Sequence, residues 1–193
     1  LPLALFAIAL STALFPTIAR AINNSDLARA NQGLYKATWM LLVFLSLSTI
    51  GAVILSEEIM MLLFERGAFT HEDTLNSSEV LLMYMVGLLP FGLAKLFQLW
   101  HFSHHQQKMV AKFTAISLGF NIVLSLALIS PMGAPGLALA SSLSGSVLFV
   151  LNFRAYLYSG GVNPFSMKNL ALLVVGLTLF SLLLVTLKSM ILL

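Results

Sequence analysis

The charged residues of this chain are few and segregated, and that constrains its folding more than any motif. From Phe113 to Phe153 there is no Asp, Glu, Lys or Arg, and shorter charge-free runs cover Leu1 to Ala19, Ala37 to Ser56, Val80 to Ala94 and Asn169 to Leu187. A helix rising about 1.5 Å per residue crosses a hydrocarbon core of about 30 Å in about 20 residues, so runs like these suit membrane spans. Strands of a membrane barrel alternate in polarity over about 10 residues, and these runs do not alternate. The expected fold is all-α, a polytopic transmembrane helix bundle.

Charged residues make up 9% of the chain and hydrophobic ones 59%. A soluble domain carries about 25% charged residues, so this chain could not cover a water-facing surface. The net charge of +3 is small, and Lys and Arg do not cluster with aromatics, which argues against a nucleic-acid partner. With no Cys, thiolate chemistry and disulfides are excluded. The chain starts at Leu1 inside an apolar run with no signal-peptide features, so a fragment of a longer protein is expected.

Six spans are expected: Leu1 to Arg20, Ala37 to Ser56 or a little beyond, Glu79 to Phe102, Phe113 to Ser130, Gly136 to Tyr158, and Asn169 to Ile191. Arg20, Arg29, Lys36, Lys108, Lys112, Arg154 and Lys168 fall in or beside loops 20–36, 101–112 and 158–168, against Asp26 alone. Loop 57–79 instead holds Glu57, Glu58, Glu65, Glu72, Asp73 and Glu79 against Arg66 alone, and loop 131–135 has no charge. Lys and Arg are retained on the cytoplasmic side, which puts the first three loops inside and the other two outside, in the manner of a multi-pass inner-membrane protein.

Within the acidic loop, Thr70 followed by Asp73 forms a helix start signal, so the third span is expected to begin near His71. Before it, Glu57 to Phe69 mixes apolar and charged residues and suits a short interfacial helix turning at Gly67. Pro90 predicts a kink near Gly87. Pro131, Gly133 and Pro135 predict a tight turn that makes neighbouring spans antiparallel. Ala138, Ser142 and Ser146 recur every four residues, a spacing that lets helix backbones approach closely.

The stretch Leu62-Leu63-Phe64-Glu65-Arg66-Gly67-Ala68-Phe69-Thr70 with Glu72-Asp73-Thr74, and the run Ala9-Leu10-Ser11-Thr12-Ala13-Leu14-Phe15-Pro16, resemble the lipid II flippases of the MurJ/MviN family. Tyr84 to Leu88 with Lys95, Asn121-Ile122, and Gly136 to Ser142 follow in that family's order. The resemblance implies part of a larger two-lobe transporter of the multidrug/oligosaccharidyl-lipid/polysaccharide exporter superfamily. Residues 1–158 would belong to the carboxy-terminal lobe, and 159–193 would form a loop and an additional peripheral helix. Implied partners are a lipid-linked glycan, the bilayer and the amino-terminal lobe of the same protein; no cofactor is implied.

Lys95 is the one charge well inside a span, where a lysine costs about 2.5 to 3.5 kcal/mol, so it should face protein or a watery cavity. Tyr84, Lys95 and Gln98 share a helical face that suits an anionic diphosphate headgroup. The competing reading has Lys95 snorkelling to the nearby interface. Thr114, Ser117, Asn121 and Ser125 form a polar strip matched by Ser141, Ser144 and Asn152. Such groups commonly just join helices. By the resemblance, Asn121, Ser125 and Ser141 match a sodium site of some members, but Ser125 stands where those members carry a carboxylate, which a hard cation would miss.

His101, His104 and His105 have a spacing that could hold a metal, yet no Asp or Glu lies near them and the membrane edge suits imidazoles, so no metal site is assigned. No span holds an Asp, Glu or His at membrane depth for acid–base work, so an enzyme is not expected. The resemblance implies a function of moving an undecaprenyl-diphosphate peptidoglycan precursor from the cytoplasmic to the outer leaflet by alternating access. The alternatives are another exporter of the same superfamily and a membrane scaffold of cell-wall synthesis.

Overall fold

A computed structural model describes residues 9–191. Among them are seven helices: α1 (Ala9–Asn23), α2 (Leu27–Ile54), α3 (Ser56–Phe64), α4 (His71–Ser103), α5 (Gln107–Met132), α6 (Ala134–Tyr158) and α7 (Met167–Ile191). No strand occurs among the described residues. Helices α2, α4, α5, α6 and α7 are long and apolar enough to cross a membrane. The first expected span, Leu1 to Arg20, lies partly outside the described residues.

Two helices are longer than their apolar stretches. The second was expected from Ala37 but begins at Leu27, ten residues earlier. Asp26 caps it, accepting the Arg29 amide at 3.0 Å, and Leu27, Ala28, Arg29 and Ala30 are good helix formers. Likewise only residues 104–106 separate α4 from α5, so the polar stretch 101–112 is mostly helix. Hydropathy marks where lipid ends, not where the helix does.

At the acidic end the local signals hold. Thr70 and Asp73 form a reciprocal capping box, with Thr70 N–H donating to Asp73 Oδ2 at 2.8 Å and the Asp73 amide donating to Thr70 Oγ1 at 3.3 Å. Helix α3 lies before it with Leu62, Leu63 and Phe64 exposed, as an interfacial helix requires. Gly67 takes φ +63°, the left-handed region, in the turn between α3 and α4. A single non-helical residue, Gly133 at φ +60° and ψ −136°, reverses the chain from α5 into α6. That conformation is reserved to glycine, and Pro135 starts the next helix with its fixed φ.

Helix α4 is central and packs against α6, α2, α3, α1 and α5. Its contact with α6 is very close: a Cβ on Gly87 would lie 2.6 Å from Ser142 Cα, and one on Gly145 would lie 2.5 Å from the Phe91 ring. Ser142 Oγ donates to the Met83 carbonyl at 2.6 Å across this seam. Ala138 and Ser142 of the small-residue series are fully buried here. Pro90 sits inside α4, whose helical assignment continues through it.

The core of α2 is a stripe of Ala30, Leu34, Ala37, Leu41 and Leu45, one face of a 3.6-residue period. It meets an aromatic cluster at the basic end. Phe97 lies 5.0 Å from the rings of both Phe153 and Tyr156, and Trp100 meets Tyr156 edge-on at 4.9 Å. Helix α5 buries only Val110 and Ser117, and α7 buries no described residue. Both present apolar surface outward, as membrane helices do.

Candidate functional site

Four arrangements carry polar chemistry within or beside the spans. The first is on α4. Tyr84 and Lys95 are exposed, while Gln98 is buried at 4% exposure, so the expected stripe divides. Three residues at about 100° each leave Gln98 about 60° from Lys95, far enough to turn it into the packed side. Among the described residues Lys95 has no ion-pair or hydrogen-bond partner. It lies eight residues before Ser103, about 12 Å from the helix end.

The second is the layer between α5 and α6. Ser117 Oγ donates to the Ser144 carbonyl at 2.7 Å, and Asn121 Nδ2 reaches Ser141 Oγ at 3.2 Å and Ser144 Oγ at 3.3 Å. Ser125 Oγ is 3.5 Å from Asn121 Oδ1, at the limit of a hydrogen bond. Thr114 bonds its own helix through the Val110 carbonyl. The strips meet as spaced, with one exception. Asn152 is fully buried, but its side-chain amide donates to the Leu148 carbonyl of its own helix at 2.8 Å, and only its backbone carbonyl accepts from His101 Nε2 of α4, at 3.0 Å. A cysteine pair at Asn121 and Ser141 in the full-length protein should therefore crosslink with a short reagent, while Asn121 with Leu143 should not. The reverse pattern would reject this packing.

The third is a polar lock at the basic end that no local spacing announces. Tyr156 hydroxyl donates to Asn31 Oδ1 at 2.7 Å, and the Val162 amide donates to the same oxygen at 3.0 Å. Trp39 Nε1 donates to the Pro164 carbonyl at 3.0 Å, Trp100 Nε1 to Ser159 Oγ at 2.7 Å, and Asn169 to Tyr35 hydroxyl at 2.7 Å. The one available signal was Gly160-Gly161, since a Cβ on Gly161 would strike the Tyr156 ring. His101, fully buried, also places Nδ1 3.0 Å from Gln106 Oε1, and His104 sets Nδ1 2.8 Å from the Trp100 carbonyl. These imidazoles serve packing. No cluster able to hold a metal occurs among the described residues.

At the opposite end Lys188 of α7 pairs with Glu58 of α3 at 2.6 Å and donates to the Ile54 carbonyl at 3.0 Å. Burial pushes the Glu58 carboxyl up, but the Lys188 hydrogen bond, a backbone bond and the lysine charge together leave it below the ordinary carboxylate value. A bond from Thr74 hydroxyl at 2.7 Å, with lesser help from His71, holds Glu65 low as well. Helix α7 is thus fastened to α2 and α3 near both ends. Between α2 and α7 lies a groove of about 490 Å³ walled by Val43, Leu47, Leu172, Leu173 and Leu177, with Trp39 and Asn169 also lining it.

A bundle with five helices long and apolar enough to cross a membrane, buried serine and asparagine contacts between them, and nearly all of its charge at the ends is a polytopic α-helical membrane protein. The family model described as Lipid II flippase MurJ matches residues 1–192, and the chain belongs to that family. A probable lipid II flippase MurJ of Helicobacter pylori (strain J99) is 53% identical over 156 residues, covering 81% of this chain and 34% of the relative. The Thermotoga maritima and Rhizobium meliloti proteins of the same name are 37% and 34% identical, over 78% and 83% of this chain. The chain spans about a third of the length of these curated relatives. A solved structure titled Lipid II flippase MurJ, inward closed conformation, superposes with TM-score 0.69 at 24% identity, covering 99% of this chain and 45% of that one, and has the same fold.

Proposed function

We propose that this chain is the second-lobe portion of a lipid II flippase, moving the undecaprenyl-diphosphate glycolipid from the cytoplasmic to the outer leaflet by alternating access. The observation that carries this reading is the family match over residues 1–192. The headgroup crosses in a cavity against the other lobe, and the lipid tail stays in hydrocarbon, so no covalent step is needed. Rocking of one lobe against the other exposes the cavity to each side in turn.

Lys95 supplies positive charge to that cavity, with Tyr84 on the same exposed face and Gln98 behind it. The insertion cost of an unpaired lysine supports this role, because an anionic headgroup offsets it. The α2–α7 groove accommodates part of the tail; its walls are aliphatic, and α7 is fastened near both ends. In this scheme residues 1–158 act as the lobe, and 159–193 form the loop and peripheral helix. The Asn121, Ser125 and Ser141 layer joins helices and lacks the carboxylate oxygen a hard cation would favour.

The basic end is cytoplasmic and the acidic end external, in an inner membrane, as the Lys and Arg distribution supports. In intact spheroplasts an impermeant thiol reagent should label Glu72→Cys of the full-length protein and leave Arg29→Cys unlabelled. Labelling of both sinks the orientation. The function itself is tested by expressing the full-length protein in cells depleted of their own lipid II flippase. Restored growth and precursor translocation are expected; normal membrane levels without translocation would favour the scaffold reading.

A further inference from the structure

A second cationic site lies where α1 turns into α2, away from the Lys95 face. Thr17, Arg20, Ala21, Asn24, Asp26 and Arg29 line a cleft of about 320 Å³. The turn that shapes it is tightly bonded: the Asn24 amide donates to the Arg20 carbonyl at 3.0 Å and the Asp26 amide to the Ala21 carbonyl at 2.8 Å. Ser25 takes the left-handed conformation at φ +57° to complete the reversal. Both arginines are thereby held on one short, ordered corner.

Neither guanidinium has an ion-pair or hydrogen-bond partner among the described residues. The carboxylate in the cleft is committed elsewhere, because one oxygen of Asp26 caps α2 through the Arg29 amide at 3.0 Å. Two guanidiniums against one carboxylate leave the cleft net positive. Arg29 also stands in the first turn of α2, where the helix dipole disfavours a cation, so its charge does nothing for the stability of that helix. Thr17 and Asn24 add neutral donors beside the charges.

We infer that this cleft binds a phosphate group, through guanidinium hydrogen bonds from Arg20 and Arg29. Guanidinium forks match phosphate oxygens in geometry as well as charge. Arg20 stands one residue past the apolar run that ends at Ala19, which puts that side of the cleft at the depth of a phospholipid headgroup, with Arg29 on its water side. The source of the phosphate is therefore an anionic lipid of the adjoining leaflet. This assignment is independent of what the protein transports.

The test uses the purified full-length protein in detergent, with binding of short-chain phosphatidylglycerol, short-chain phosphatidylcholine and inorganic phosphate measured separately by native mass spectrometry and thermal shift. Phosphatidylglycerol is expected to bind, and the double variant Arg20→Gln with Arg29→Gln should weaken it at least about tenfold, the equivalent of one charge-assisted hydrogen bond. Arg154→Gln, which removes a same-end charge outside the cleft, should leave binding unchanged, and the double lysine variant should retain part of it. Inorganic phosphate that binds as tightly and competes keeps the site and reassigns it to a free anion. Equal binding of phosphatidylglycerol by the parent and the double glutamine variant, or of phosphatidylcholine as well as phosphatidylglycerol, overturns the inference.

Discussion

Gly87→Leu should destabilise the α4–α6 pair more than any other single substitution along that seam. A Cβ at this position would stand 2.6 Å from Ser142 Cα, and a backbone atom cannot rotate away as a side-chain tip can. The helices must separate, which also stretches the 2.6 Å bond from Ser142 Oγ to the Met83 carbonyl. Overpacking and loss of that bond together cost about 2 to 4 kcal/mol. Gly119→Ala is the matched control, because nothing lies within 4 Å of the added carbon. Thermal unfolding of the full-length protein in detergent should show a large drop for Gly87→Leu and none for Gly119→Ala. Equal behaviour of the two would mean that the small-residue seam is not the close contact the geometry describes.

That seam was partly legible beforehand. Ala138, Ser142 and Ser146 announce a close approach by their spacing, and Gly133 between two prolines announces the hairpin that puts α6 beside α5. The capping box of Thr70 and Asp73 likewise depends on residues three apart, so local chemistry decides it. What spacing alone misses is rotation accumulated along a helix. Asn152 shares a polar character with Ser144 but lies eight residues on, about 80° round the axis, and its side chain bonds the Leu148 carbonyl of its own helix instead of reaching α5. The lock at the basic end joins positions more than a hundred residues apart, such as Asn31 with Tyr156. No periodicity encodes such a pairing; it exists only once α2, α6 and the loop after α6 are packed together.

Lys95→Gln should abolish most precursor translocation while leaving membrane levels of the full-length protein near normal. Its side chain is exposed, so truncating the charge opens no hole in the bundle, and among the described residues no carboxylate is left unpaired by the change. The loss therefore falls on whatever the ammonium faces. If that is a diphosphate headgroup, removal of one charge-assisted contact lowers translocation about 10- to 100-fold. Lys95→Arg keeps the charge and should retain much of the activity, although a guanidinium presents its donors in a rigid fork where an ammonium is a compact point charge. A lysine that only snorkels predicts the opposite pattern, since a neutral residue about two turns from the helix end is less costly to bury than the cation it replaces. Complementation of a flippase-depleted strain by the two variants, normalised to membrane abundance, separates these outcomes. Growth of the Lys95→Gln strain at the wild-type rate would remove Lys95 from the site.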